Sequence, residues 1–161
     1  MRTLSPIEAA LAVAIAASVL ATALPAFVRN LHASRLVEPV DGLNRIATRA
    51  TVLAVGRPPS AAYPPSAPLT PAEVPKGQRV TDPPGTWSHP TWQELGFFID
   101  VPHSFSFLFE SEGGESGSRF TARAHGDLDG DGLWSTFEIS GQSEPGKPPV
   151  VQPMEIDREV E

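Results

Sequence analysis

Twenty consecutive residues, Ala9 to Val28, carry no charge. At 1.5 Å per residue they make a helix of about 30 Å, the thickness of a bilayer's hydrocarbon core. Beyond Val28 the pattern changes. Leu31, Leu36, Val40, Leu43, Ile46, Ala47, Ala50 and Leu53 recur every three to five positions, with Arg29, Asn30, Arg35, Asn44, Arg45, Thr48 and Arg49 between them. That is the stripe of an amphipathic helix, predicted over 29–56, with kinks or interruptions at Pro25, Pro39 and Gly42. Nine prolines between Arg57 and Thr86 then predict an extended, semi-rigid connector over 57–86.

From Trp87 the period shortens. Residues 92–97 predict one short helical turn. Ser104–Glu110 alternates Phe105, Phe107 and Phe109 with Ser104, Ser106 and Leu108. Ser118–His125 and Trp134–Ser140 alternate likewise, with Phe120, Ala122 and Ala124, then Phe137 and Ile139, on one face. Strict alternation predicts half-buried antiparallel strands, with reversals at Glu112-Gly113-Gly114 and in the Asp/Gly cluster at 126–132. Three or four strands over 87–161 bury too little alone, so the amphipathic helix is their natural cover. The expected class is α+β: a long N-terminal helix, half membrane-spanning and half amphipathic, packed on a small antiparallel sheet.

Charge sharpens the division. Of 161 residues, the first 57 hold six Arg against three acids; the remaining 104 hold six Lys or Arg against sixteen acids. Halves this unlike point to a membrane-associated segment joined to a soluble one. The acidic balance disfavours nucleic-acid binding, and the absence of Cys removes disulfides, thiol nucleophiles and Cys-type zinc sites. His32, His89, His103 and His125 are scattered without catalytic spacing, which argues against an enzyme. The acidic tail Glu155–Glu161 reads as a solvated terminus.

Ser5-Pro6-Ile7-Glu8 reads as a helix start: Ser5 as N-cap, Pro6 at the first helical position, Glu8 as the capping-box carboxylate. Three readings of the segment compete. It is a plain transmembrane anchor; or a secretory signal peptide, with Ala21-Thr22-Ala23 as the cleavage pattern, releasing a small secreted or periplasmic β-domain; or a segment in which Glu8 itself is the informative residue, because an acid opening a membrane-length span needs a partner.

The third reading meets a resemblance. The stretch LSPIEAALAVAIAASVLATALPAFVRN resembles the N-terminal helix of type IV pilins and type II secretion pseudopilins, with Glu8 and Pro25 at the family's spacing of seventeen residues. The resemblance implies a precursor held in the bacterial inner membrane. It then implies assembly by a pilus machinery into a homo-oligomeric or mixed filament, extracellular or periplasmic, in which Glu8 neutralises a neighbour's amino terminus. Carried over in register, the leader is cut between Thr3 and Leu4, where the family usually has Gly and Phe. Nine Ala and one Ser between Ala9 and Val28 allow close helix approach in such a bundle.

The sharpest local motif runs from Asp127 to Glu138 and fits the EF-hand loop pattern. Asp127, Asp129 and Asp131 stand at its first, third and fifth positions, Gly132 at the sixth, the Leu133 carbonyl at the seventh, Ser135 at the ninth and Glu138 at the twelfth. Hard oxygens in this array suit calcium. The flanks read as strands, so a polar hairpin using Asp-Gly turn chemistry stands beside the calcium reading.

Overall fold

The computed structural model describes residues 5–157, less the side chains of residue 26 and residues 28–35. Thr3 and Leu4, flanking the expected leader cut, lie outside the described residues, as does the end of the acidic tail. The fold is α+β, with an apolar N-terminal helix and a small antiparallel sheet. In order come helix α1 (Pro6–Val55), a 3-10 turn (Pro59–Ala61), β1 (Ala67–Thr70), helix α2 (Pro90–Leu95), β2 (Phe105–Gly114), β3 (Gly117–Gly126), β4 (Ser135–Ser143), β5 (Val150–Val151) and β6 (Glu155–Asp157). The sheet order is β1-β2-β3-β4-β5, with β6 also on β4 and every pair antiparallel.

The chain divides into two compact units, one ending at Leu36 and one beginning at Val37. In the first, every described residue from Pro6 to Pro25 is exposed. In the second, α1 contributes Leu43, Ile46, Ala47 and Ala50 of the amphipathic stripe to the core, and Ala54 in place of the expected Leu53, which is half-buried.

Alternation delivers the other side of that core. Phe105, Phe107 and Phe109 of β2, Phe120, Ala122 and Ala124 of β3, and Phe137 and Ile139 of β4 are all buried. The rings interlock: Phe109 stacks on Phe120 at 5.5 Å, Phe97 meets Phe107 at 5.1 Å, and Trp87 meets Phe97 edge-on at 5.3 Å. Such pairs contribute about 0.5–1.5 kcal/mol each beyond their burial.

Three expectations need correction. Of the kinks or interruptions expected at Pro25, Pro39 and Gly42, no interruption occurs: helix α1 is continuous from Pro6 to Val55. A proline removes one intrahelical bond, and the neighbouring turns carry the helix through. Gly42 instead marks the closest approach of helix to sheet, because a Cβ there would lie 2.6 Å from the Phe107 ring.

The proline-rich stretch, expected as an extended, semi-rigid connector, is also part of the β-unit's packing. Ala62, Tyr63, Ala67 and Val74 are buried in it, and it contains edge strand β1, where a proline is tolerated. Its carbonyls also accept side-chain bonds, from Ser111 Oγ at Pro64 and from Thr91 Oγ1 at Pro65. The third correction is the reversal expected at Glu112-Gly113-Gly114. Strand β2 continues through Gly114 and turns at Glu115-Ser116. Gly113 serves close passage, since a Cβ there would fall 2.2 Å from the Ser60 carbonyl oxygen.

Candidate functional site

Two regions carry the residues singled out by the sequence. At the start of α1 the capping box is formed. The Ser5 amide donates to Glu8 Oε2 at 2.8 Å, and the Glu8 amide donates to Ser5 Oγ at 3.3 Å. These two bonds satisfy donors that a helix start otherwise leaves unpaired. Beyond them Ile7, Leu11, Val13, Ile15, Val19 and Leu24 are each more than half exposed. Pro6–Pro25, 20 residues, is long and apolar enough to cross a membrane. An anchor and a signal sequence share that property.

The second region is the loop from β3 to β4. Asp127, Asp129 and Asp131 bring one carboxylate oxygen each to within 4.8 Å of one another, an arrangement that can hold a cation. The loop's own amides hold the acids in place. Asp127 accepts from Gly130 at 2.8 Å and Gly132 at 3.2 Å, Asp129 from Asp131 at 3.1 Å, and Asp131 from Leu133 at 2.7 Å. From the other side, the Gly77 amide donates to the Asp127 carbonyl at 2.8 Å, pinning the proline-rich strap to the loop. Asp127 is buried; Asp129 and Asp131 are exposed.

Of the remaining expected ligands, Leu133 lies in the same loop and Ser135 is buried at the start of β4, its Oγ unpaired. Glu138 does not join them. Strand alternation turns it to the face opposite Phe137 and Ile139, where Arg123 donates to it from Nε and to Glu110 from Nη1. The twelfth position of the EF-hand pattern is therefore spent on a cross-strand ion pair. His125, adjoining the loop, shares a hydrogen bond with Thr136 Oγ1 at 2.9 Å; burial, and secondarily the Arg123 charge, hold its imidazole below the usual range.

The structure adds polar anchors that carry no sequence motif. His103 is buried, with Nδ1 at 2.9 Å from the Phe105 carbonyl and Nε2 at 3.0 Å from Asp82 Oδ2. Trp87 Nε1 donates to the same Asp82 oxygen at 2.8 Å. Glu38 of α1 receives the Ser104 and Phe105 amides on one oxygen, at 2.8 and 2.9 Å. Only their spacing from distant partners distinguishes these residues, and spacing of that kind has no signature in one sequence.

No family model, no curated protein and no solved structure matches this chain.

Proposed function

We propose that this chain is the structural subunit of a pilin-like or pseudopilin-like filament, stored in the inner membrane of a bacterium and assembled through its N-terminal helix. One observation carries the reading. A single 50-residue helix leaves its apolar turns from Pro6 to Pro25 exposed and commits its later turns, from Leu43 to Ala54, to the core of an antiparallel β-unit. An uncovered apolar helix needs lipid or its own kind around it, and a filament bundle supplies the second. Glu8, fixed by its capping box, would meet the amino terminus of an adjoining subunit there. Such a pair gives register more surely than net stability.

Independently of the filament reading, we propose that the acidic loop takes a calcium ion, held by Asp127, Asp129 and Asp131 with the Leu133 carbonyl. Without the Glu138 carboxylate the affinity belongs in the weak range of extracellular modules, about 10⁻⁴–10⁻³ M.

The deciding experiment is expression of the full chain beside a type IV assembly machinery, with mass determination of the mature N-terminus and electron microscopy of sheared material. A chain starting at Leu4 and found in filaments supports the proposal. A soluble chain starting at Leu24 or Phe27 replaces it with a secreted β-domain, and an intact Met1 in membranes with no filaments replaces it with a plain anchor.

A further inference from the structure

The unit beginning at Val37 is acidic, with nine Lys or Arg against eighteen Asp or Glu in the sequence from there on. Against that background, Arg45 and Arg49 stand one turn apart on α1. Neither forms an ion pair among the described residues, as is also true of Lys76 and Arg119, whereas Arg57, Arg79 and Arg123 each have a carboxylate partner. They flank a cleft of about 340 Å³ between α1 and α2, completed by Asn44, Thr48, Leu95 and Phe97.

Both guanidinium groups are held without using up their terminal N–H groups. Arg45 lies over the Phe97 ring, 5.2 Å from its centroid, and Arg49 donates only Nε, to the Leu95 carbonyl at 3.3 Å. Like charges at this helical spacing repel; Asp41, one turn before Arg45, offsets part of that repulsion, and neither guanidinium has a carboxylate within ion-pair distance among the described residues. The floor is apolar and the rim cationic. The matching ligand is a carboxylate on a short apolar stem, as in a Glu or Asp side chain, taken by planar donors suited to bidentate binding.

We infer that this cleft is a docking site for an acidic segment of a second copy of this chain. Charge complementarity selects the partner. Units carrying twice as many acids as bases repel one another unless a contact sets a cationic patch against those acids, and Arg45 with Arg49 is such a patch. The inference rests on the filament reading, since it names where adjoining subunits touch.

The test uses the full chain in membranes of cells that carry an assembly machinery, with Thr48→p-benzoylphenylalanine as a photoreactive probe on the exposed rim. Irradiation should give a covalent dimer whose mass-mapped junction joins position 48 to an Asp- or Glu-bearing peptide of the other copy. Arg45→Glu with Arg49→Glu should lower the dimer yield at least fivefold, while Arg45→Lys with Arg49→Lys retains part of it. Yield should also fall as NaCl is raised from about 0.1 M to about 1 M, where the Debye length shrinks from about 10 Å to about 3 Å. Cross-links only to lipid, cross-links only to other proteins, no cross-link, or a dimer indifferent to the Glu variants would each overturn the inference. Filaments without the position-48 dimer defeat the cleft alone. The dimer without filaments defeats the filament reading and leaves the cleft standing.

Discussion

Glu38 offers the most quantitative test of how α1 is fastened to the β-unit. One of its carboxylate oxygens receives both the Ser104 and the Phe105 amide, at 2.8 and 2.9 Å, where the chain enters β2. Its other oxygen faces Arg79 at 3.7 Å, but that guanidinium is 62% exposed, so the ion pair contributes little. Truncation by Glu38→Ala leaves two partly buried amides without acceptors. Hydrogen bonds to a charged group contribute about 1.5–3 kcal/mol each, and some water will reach the gap, so the expected loss is about 2–4 kcal/mol. Glu38→Gln keeps a carbonyl oxygen in the same place and removes only the charge, for a loss of about 1 kcal/mol. Arg79→Ala should stay within about 0.5 kcal/mol of the parent. Urea unfolding of the full chain in detergent micelles, followed by tryptophan fluorescence, reads these differences, because Trp87 and Trp92 sit in the ring cluster that unfolding disperses. A Glu38→Ala midpoint equal to the parent's, or a Gln variant as damaged as the Ala variant, would refute the reasoning.

Further tests address other links. Gly42→Ala gains up to about 1 kcal/mol of helix propensity, yet its methyl would sit 2.6 Å from Phe107, which is itself packed against Trp87 and Phe97; a net loss of about 1–3 kcal/mol is expected in the same urea assay. Tyr63, the sole tyrosine, is pushed up to about 12 by burial, so its absorbance titration should run well above 10 in the native chain and return near 10 in denaturant. Between those values the unfolded phenol has lost its proton while the native one keeps it, so stability should fall as pH rises from about 10 toward about 12. Glu8→Ala should leave membrane insertion intact, because it removes a charge from an apolar span, but abolish filament incorporation; normal incorporation would discard the pairing role. Calcium should raise the melting temperature of the full chain relative to chelator, with a stabilisation of about 2.7 kcal/mol at a hundredfold its dissociation constant, and Asp129→Ala should remove that increment. Coincident parent melts with calcium well above the millimolar range would reduce the loop to a turn.

Much of the framework was legible because it is periodic. The Phe residues at 105, 107 and 109 announce a strand by alternation alone, and the spacing from Leu43 to Ala50 announces the buried helix face. The strap failed to read because nine prolines outweighed Tyr63, Ala67 and Val74, whose burial depends on distant segments. The Ala62 amide, for example, bonds Ser118 Oγ, 56 positions away. β5 and β6 are short, exposed edge pieces held by backbone pairing, which no side-chain pattern records. Alternation in the sequence already places Glu138 in a strand, and the structure shows why that takes it from the loop. The EF-hand pattern assumes a helix after the loop, whereas a strand sends that position to the outer face beside Arg123. The pairing of Arg45 with Phe97, and of Glu38 with β2, likewise joins residues that nothing local connects.

The interval between Glu38 and its amides, 66 and 67 positions, also sets a schedule for biogenesis. The amphipathic turns of α1 leave the ribosome long before Phe105, Phe107 and Phe109 exist to cover them. At about 5–20 residues per second the wait is on the order of 3–13 s. Throughout it Leu43, Ile46 and Ala50 form an apolar stripe with no intramolecular partner. Completion of the β-unit then closes the stripe, as the newly made phenylalanines bury it. Slowing translation between residues 55 and 105 should lengthen the interval in which the stripe lies open without altering the final fold.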